Sequence, residues 1–171
     1  MRRVKTFFGG IFPNDAKTST SGTPIKTLAA PEKIVVPLLQ HVGVEAKPVV
    51  AKGDEVLKGQ LIAEPGGNVS APVHSPVSGK VVAIEPKKNA SGRTITSIVI
   101  ENDGEENWVE RETHHDPIQL DANTILERIR QAGIVGMGGA GFPTALKLTP
   151  PKGVAIDYLI LNGCECEPYL T

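Results

Sequence analysis

The strongest constraint on how this chain folds is its punctuation. Across residues 34–101 the sequence breaks into short runs, "KIVVPL", "KPVV", "QLIAE", "KVVAIE" and "TITSIVIE", separated by Gly, Pro and Asp turns. Runs this short and this rich in Val and Ile read as strands, and breakers at this spacing leave no room for long helices. Composition agrees: Gly and Pro number 18 and 14, while aromatic residues make up 4% of the chain. Two turns, "VVAKGDEV" around Gly53–Asp54 and "VHSPVSGKV" around Ser78–Gly79, each join valine-flanked strands. This internal echo predicts a small sandwich made of two similar halves.

The same stretch, "VVAKGDEVLKGQLIAE…SPVSGKVVAIE", resembles the lipoyl/biotinyl domain pattern, in which a lysine at a hairpin tip carries the prosthetic group. Counting back from Ser75–Pro76, that place falls on Asn68 in "EPGGNVSAP". An amide cannot form the covalent link, and the nearest lysine, Lys58, belongs to a turn. The expectation is a carrier-like fold without lipoyl or biotin attachment. His41 and His74 have no spaced third ligand, so no metal site is expected from them. His114 and His115 fall in a charged stretch and read as solvated.

The rest of the chain divides by composition. Residues 1–33 carry turn residues every few positions and read as an extended N-terminal arm lying over another domain. The sandwich occupies residues 34–102, and the polar, charged stretch 103–120 reads as a linker. The segment 121–171 opens with a helix, "DANTILERIRQAG". Asp121 or Asn123 can cap it, Ile125, Leu126, Ile129 and Ala132 form its apolar face, and Gly133 sits at its C-terminal cap. A short helix is predicted over 142–148, stopped by Pro150–Pro151. "YLILN", residues 158–162, is apolar on both faces and predicts a buried strand of a parallel sheet. One such strand with one helix pair cannot be buried alone, which leads to the expectation that the sequence is an N-terminal piece of a longer protein.

Charge and cysteine content narrow the function classes. Lys and Arg total 18 against 19 Asp and Glu, so nothing draws the chain to nucleic acid or to an anionic membrane surface. No apolar run is long enough to span a bilayer, and the basic N-terminus lacks the apolar segment of a secretory signal. Cys164 and Cys166 are too close in sequence for an unstrained disulfide, which points to a reducing compartment.

The chemistry concentrates in "GIVGMGGAGFPTALKL", residues 133–148, with four glycines between Gly136 and Gly141. "GMGGAG" satisfies G-x-G-x-x-G, but a helix precedes it instead of a strand, and the acidic candidate Asp157 comes before the next strand instead of after it. The dinucleotide-fold reading therefore fails on context. No G-K-[ST] follows, so an ATP loop is unsupported. What remains is an anion-binding loop. Glycines let backbone N–H groups face a phosphate, the helix after the loop adds its N-terminal end, and Lys147 supplies a full charge. Asn162, Glu165 and Glu167 follow at the C-terminal edge of the predicted strand, where ligands of open α/β sheets bind. The carboxylates suit sugar hydroxyls or a ring with hydrogen-bond donors, so the set fits a flavin mononucleotide with a nicotinamide nucleotide nearby.

Together, "GIVGMGGAGFPTALKL" and "LILNGCECEPYLT" closely resemble the RnfC component of the Rnf ion-translocating electron-transport complex. "FFGGIFP" and the stretch "PLLQHVGVEAKPVVAKGDEVLKGQLIAEPGGNVSAPVHSPVSGKVVAIEP" resemble its opening domain. The glycine loop is also similar to that of the flavoprotein subunit of respiratory NADH dehydrogenases. The resemblance implies a fold that is all-β and then α/β: a barrel-sandwich hybrid, followed by the start of a Rossmann-like FMN- and NADH-binding domain. It implies that Gly136, Gly138, Gly139, Gly141 and Lys147 bind FMN, that Asn162 and Glu165 face the flavin, and that Phe142 and Glu167 contact NADH. The dehydrogenase pattern N-A-D-E-G-E-P is altered here, with Cys164 for the aspartate and Cys166 for the glycine, so the aspartate's flavin contact does not carry over. The 4Fe–4S clusters of the family need spaced cysteine runs that Cys164 and Cys166 do not form. They are expected beyond Thr171. The expected protein is a cytoplasmic oxidoreductase subunit, peripheral on the cytoplasmic face of the membrane. It would work with other subunits of the complex and pass electrons between NADH, a flavin and clusters toward ferredoxin. No side chain here is expected to be catalytic, and the 171 residues alone are expected to be inactive. The competing reading is a non-catalytic sandwich adaptor that docks onto membrane partners and uses the glycine loop only as a turn.

Overall fold

The structure, a computed structural model, describes residues 8–9, 16–110 and 117–163. It divides into a compact unit spanning residues 29–155 and a second unit formed by residues 1–28 and 156–171.

The larger unit contains the expected sandwich. One sheet holds β1 (Lys33–Pro37), β3 (Glu55–Val56), β6 (Gly79–Lys88) and β7 (Thr94–Asn102), in the order β1-β7-β6-β3. The other holds β2 (Lys47–Pro48), β4 (Leu61–Glu64) and β5 (Val73–His74), in the order β2-β4-β5. All pairings are antiparallel. Alternating side chains from both sheets meet in one core, which includes Val36, Leu38, Val56, Ile62, Val73, Val81, Ile98 and Ile100. Ile62, Ile98 and Ile100 are fully buried, each stabilising the fold by about 1.5–3 kcal/mol relative to exposure.

The two echoing turns meet each other. The segments that follow them pair antiparallel, Glu55 with Lys80 and Val56 with Gly79. Gly53 N donates to Val81 O at 2.7 Å, and Val81 N donates to Asp54 O at 2.8 Å. Residues 103–110 are tied back to this sheet. Buried Ser78 donates from its hydroxyl to Asp103 (2.7 Å) and accepts from Asn107 N (3.0 Å). Lys58 pairs with Glu106 at 3.0 Å and lies 4.9 Å from the Trp108 ring centre, a cation–π contact. His114 and His115 lie outside the described residues.

Two helices follow. In α1 (Ala122–Gln131), Asp121 is the N-cap: its carboxylate accepts from Asn123 N and Thr124 N and from the Thr124 hydroxyl. Gly133 ends the helix at φ +67°, and a Cβ there would lie 2.6 Å from Pro72 O, so the glycine lets the helix end press against the sandwich. No residue of α1 is buried, and Ile125 on its apolar face is 37% exposed. The second helix, α2, is shorter than the sequence suggested. It spans only Thr144–Lys147, because Pro143 holds a non-helical ψ of 122° and bridges Val135. A single turn carries little macrodipole, so the expected helix-end contribution to anion binding is removed.

In the smaller unit, Lys17–Ser19 form a 3-10 turn. The strand expected at 158–162 is not formed. These residues have no ladder partner among the described residues, and Tyr158, Leu159, Ile160 and Leu161 are 73–88% exposed. An apolar strand is stable only when neighbours take up its backbone hydrogen bonds.

Candidate functional site

The glycine loop is closed at its neck by backbone hydrogen bonds. Gly136 N donates to Phe142 O (3.0 Å) and Thr144 N to Ile134 O (2.9 Å). Inside it, Gly141 N donates to Gly138 O at 3.4 Å, while Gly139 and Gly141 take φ values of +58° and +64°. Among the described residues, the amides of Met137, Gly138, Gly139 and Ala140 have no hydrogen-bond partner. Four successive free N–H groups, two on residues without side chains, form a surface that can take an anion.

Two anchors hold the loop. A Cβ placed on Gly136 would lie 3.8 Å from Lys147 Nζ, so the lysine ammonium reaches the neck. A Cβ on Gly141 would lie 3.1 Å from Gln40 O and 3.2 Å from His41 Cα, so the far side of the loop rests on the sandwich. His41 is itself fixed there: its Nε2 accepts from Ala71 N (3.0 Å) and its Nδ1 donates to Val42 O (2.9 Å). Both ring nitrogens thus serve the backbone, and the residue is a buried structural histidine. Among the described residues no group of three potential ligands is placed to hold a metal ion. His74 is half-buried, and loss of hydration holds its imidazole below the usual range.

Of the predicted site residues, the structure brings together Gly136, Gly138, Gly139, Gly141, Phe142 and Lys147. Asn162 belongs to the other unit, on the stretch without regular structure. Glu165, Glu167, Cys164 and Cys166 lie outside the described residues. The loop opens on a cleft of about 550 Å³, walled also by Gln40 and by Asn89, Ser91 and Arg93 from the turn between β6 and β7. Sequence reasoning missed that wall. Its one signal was the "NASGR" turn between the two longest strand runs.

Residues 5–105 match the RnfC barrel sandwich hybrid domain, and residues 129–171 match the Nuo51 FMN-binding domain. The chain belongs to the RnfC family. It is 47% identical over 98% of its length to the RnfC-type component of the proton-translocating ferredoxin:NAD(+) oxidoreductase complex of Clostridium ljungdahlii, covering 37% of that protein. It is 45% identical over 97% of its length to the counterpart from the Na(+)-translocating complex of Acetobacterium woodii, covering 38%. The counterpart from the ion-translocating oxidoreductase complex of Serratia proteamaculans is 46% identical over 99% of the chain, which covers 24% of it. The chain thus spans between 24% and 38% of the length of these RnfC relatives. The FMN-binding match takes in the last turn of α1, the whole glycine loop and α2.

Proposed function

We propose that the chain is part of the NADH-oxidising or NAD-reducing peripheral subunit of a membrane-bound ion-translocating electron-transport complex. Within that subunit its glycine loop holds FMN. The observation that carries this reading is the run of unpaired amides from Met137 to Ala140 on a loop that opens on a polar cleft, with the Lys147 ammonium at the loop's neck. Such a surface fits the phosphate of a mononucleotide.

In this reading Gly136, Gly138, Gly139, Gly141 and Lys147 hold the phosphate end of FMN. Asn162 and Glu165 face its ring system, and Phe142, 40% exposed beside the loop, contacts NADH together with Glu167. Residues 121–171 then begin a Rossmann-like α/β domain that follows the sandwich in the chain. When bound, FMN supplies the step from two-electron to one-electron chemistry, and the protein's residues bind and orient it. The 4Fe–4S clusters belong to regions of the family proteins outside this sequence, and Asn68 leaves the carrier-like hairpin without a lipoyl or biotin attachment point. The subunit sits peripherally on the cytoplasmic face of the membrane, held there by other members of the complex. Among the described residues no helix is long and apolar enough to cross a membrane. The test is purification of the full-length protein. Bound flavin absorbance with NADH-dependent dye reduction is the expected result, and a folded protein lacking both overturns the reading.

A further inference from the structure

The sandwich contributes to the cleft as well as supporting it. The turn that ends β6 and begins β7 forms part of the wall of the same cleft as Gly136, Gly139 and Gly141. That turn is held in one shape. Asn89 Oδ1 accepts from Ser91 N (3.1 Å), the Ser91 hydroxyl (2.8 Å) and Arg93 N (3.0 Å), and Asn89 N donates to Arg93 O (2.9 Å). Arg93 is therefore mounted on a rigid turn at the cleft edge, and among the described residues it makes no ion pair. Among the described residues no carboxylate lines the cleft with it. A guanidinium is charged at every working pH, and its planar fork matches two phosphate oxygens at once.

We infer that Arg93 is a phosphate-binding residue of the nucleotide site, reaching from the sandwich to a phosphate held at the glycine loop. The inference rests on the nucleotide-binding reading of that loop. The phosphate is either the monoester of FMN or the pyrophosphate of NADH, and both present the same doubly acceptor face. The sandwich and the loop segment then share one ligand, which ties the two matched regions of the chain together functionally.

The experiment uses the full-length protein with Arg93→Glu, Arg93→Lys and, as a charge control at the far end of β6, Lys80→Glu. FMN affinity of the flavin-stripped protein and the KM for NADH in dye reduction are measured for each. Arg93→Glu is expected to weaken one of the two by about tenfold or more, Arg93→Lys to recover part of the loss, and Lys80→Glu to change neither. Loss of FMN affinity assigns the contact to the flavin phosphate, and a raised KM with full flavin assigns it to the dinucleotide. Flavin-loaded wild type with an indifferent Arg93→Glu, or an equal effect from Lys80→Glu, overturns this inference alone. Wild type without flavin or NADH activity overturns it together with the reading beneath it.

Discussion

Glycine serves opposite ends in the two halves of the larger unit. In the sandwich, a Cβ on Gly43, Gly66 or Gly79 would land 2.1, 1.9 or 2.0 Å from the backbone oxygen of Val69, Glu45 or Glu101. Those positions are glycine because the protein's own backbone occupies the space. In the loop, a Cβ on Gly138 or Gly139 would meet nothing within 4 Å. Gly138 does not even need the left-handed conformation that would favour glycine. The sandwich's glycines answer to such overlaps or, at Gly53 and Gly92, to φ values of +103° and +78°, whereas Gly138 in the loop answers to neither. Empty space over free amides is what a bound anion would require.

The contrast predicts a graded series of stability changes. Gly79→Ala combines φ +149° with an overlap against Glu101 O that only a shift of β7 can relieve. It is expected to cost about 3 kcal/mol or more by denaturant unfolding. A variant within experimental error of wild type would break the comparison at its strongest point. Gly141→Ala comes next. It forces φ +64° on a residue with a side chain and crowds Gln40 O, yet that contact sits at the loop's edge, where the backbone can yield. About 1–2 kcal/mol is expected, and flavin retention should fall with it because the loop lifts from the sandwich.

A smaller effect belongs to His74. Burial lowers its pKa from 6.5, so its neutral form is favoured in the folded state. Below the unfolded value the unfolded chain takes up more protons than the native one. Its contribution to stability is therefore complete above about pH 6.5 and declines as pH falls toward the lowered folded value. The thermal midpoint should drop over that interval, and His74→Gln should flatten that part of the profile. A slope unchanged by the substitution would mean that the half-buried site leaves the imidazole fully hydrated.

What could be read from the sequence follows the same divide between local and tertiary causes. β1, β4, β6 and β7 were legible because their Val and Ile runs are long enough to state their own pattern. β3 and β5 were legible only as valine flanks of the two echoing turns, since each is two residues long and exists only through its partners, Gly79–Lys80 for one and β4 for the other. "YLILN" failed in the opposite way. Its apolar pattern records a preference for burial, and burial needs neighbours that the described residues do not supply. The loop was legible as a glycine pattern, and its turn geometry and anchoring lysine followed from residues close in sequence. Arg93 was not, because only the length of the β6–β7 hairpin carries that turn to the cleft. His41, a weak metal candidate by composition, proved to be a core histidine, and nothing in the sequence announced the two backbone partners that make it one.

The smallest stability effect carries the sharpest functional consequence. Gly138→Val adds a branched side chain where φ is ordinary and nothing lies within 4 Å, so unfolding free energy should change by no more than about 0.5 kcal/mol. The same side chain would stand over the free amides of Met137 to Ala140 and keep a phosphate from approaching them. Full-length Gly138→Val protein should therefore melt like wild type and be purified with little or no flavin. This pairing separates the two halves of the comparison, because Gly79→Ala can lose flavin only by losing the fold. It also separates a cofactor loop from a turn in an adaptor protein. A stable Gly138→Val variant that kept its full flavin content would show that the open space over the loop is incidental and that the cofactor is held elsewhere.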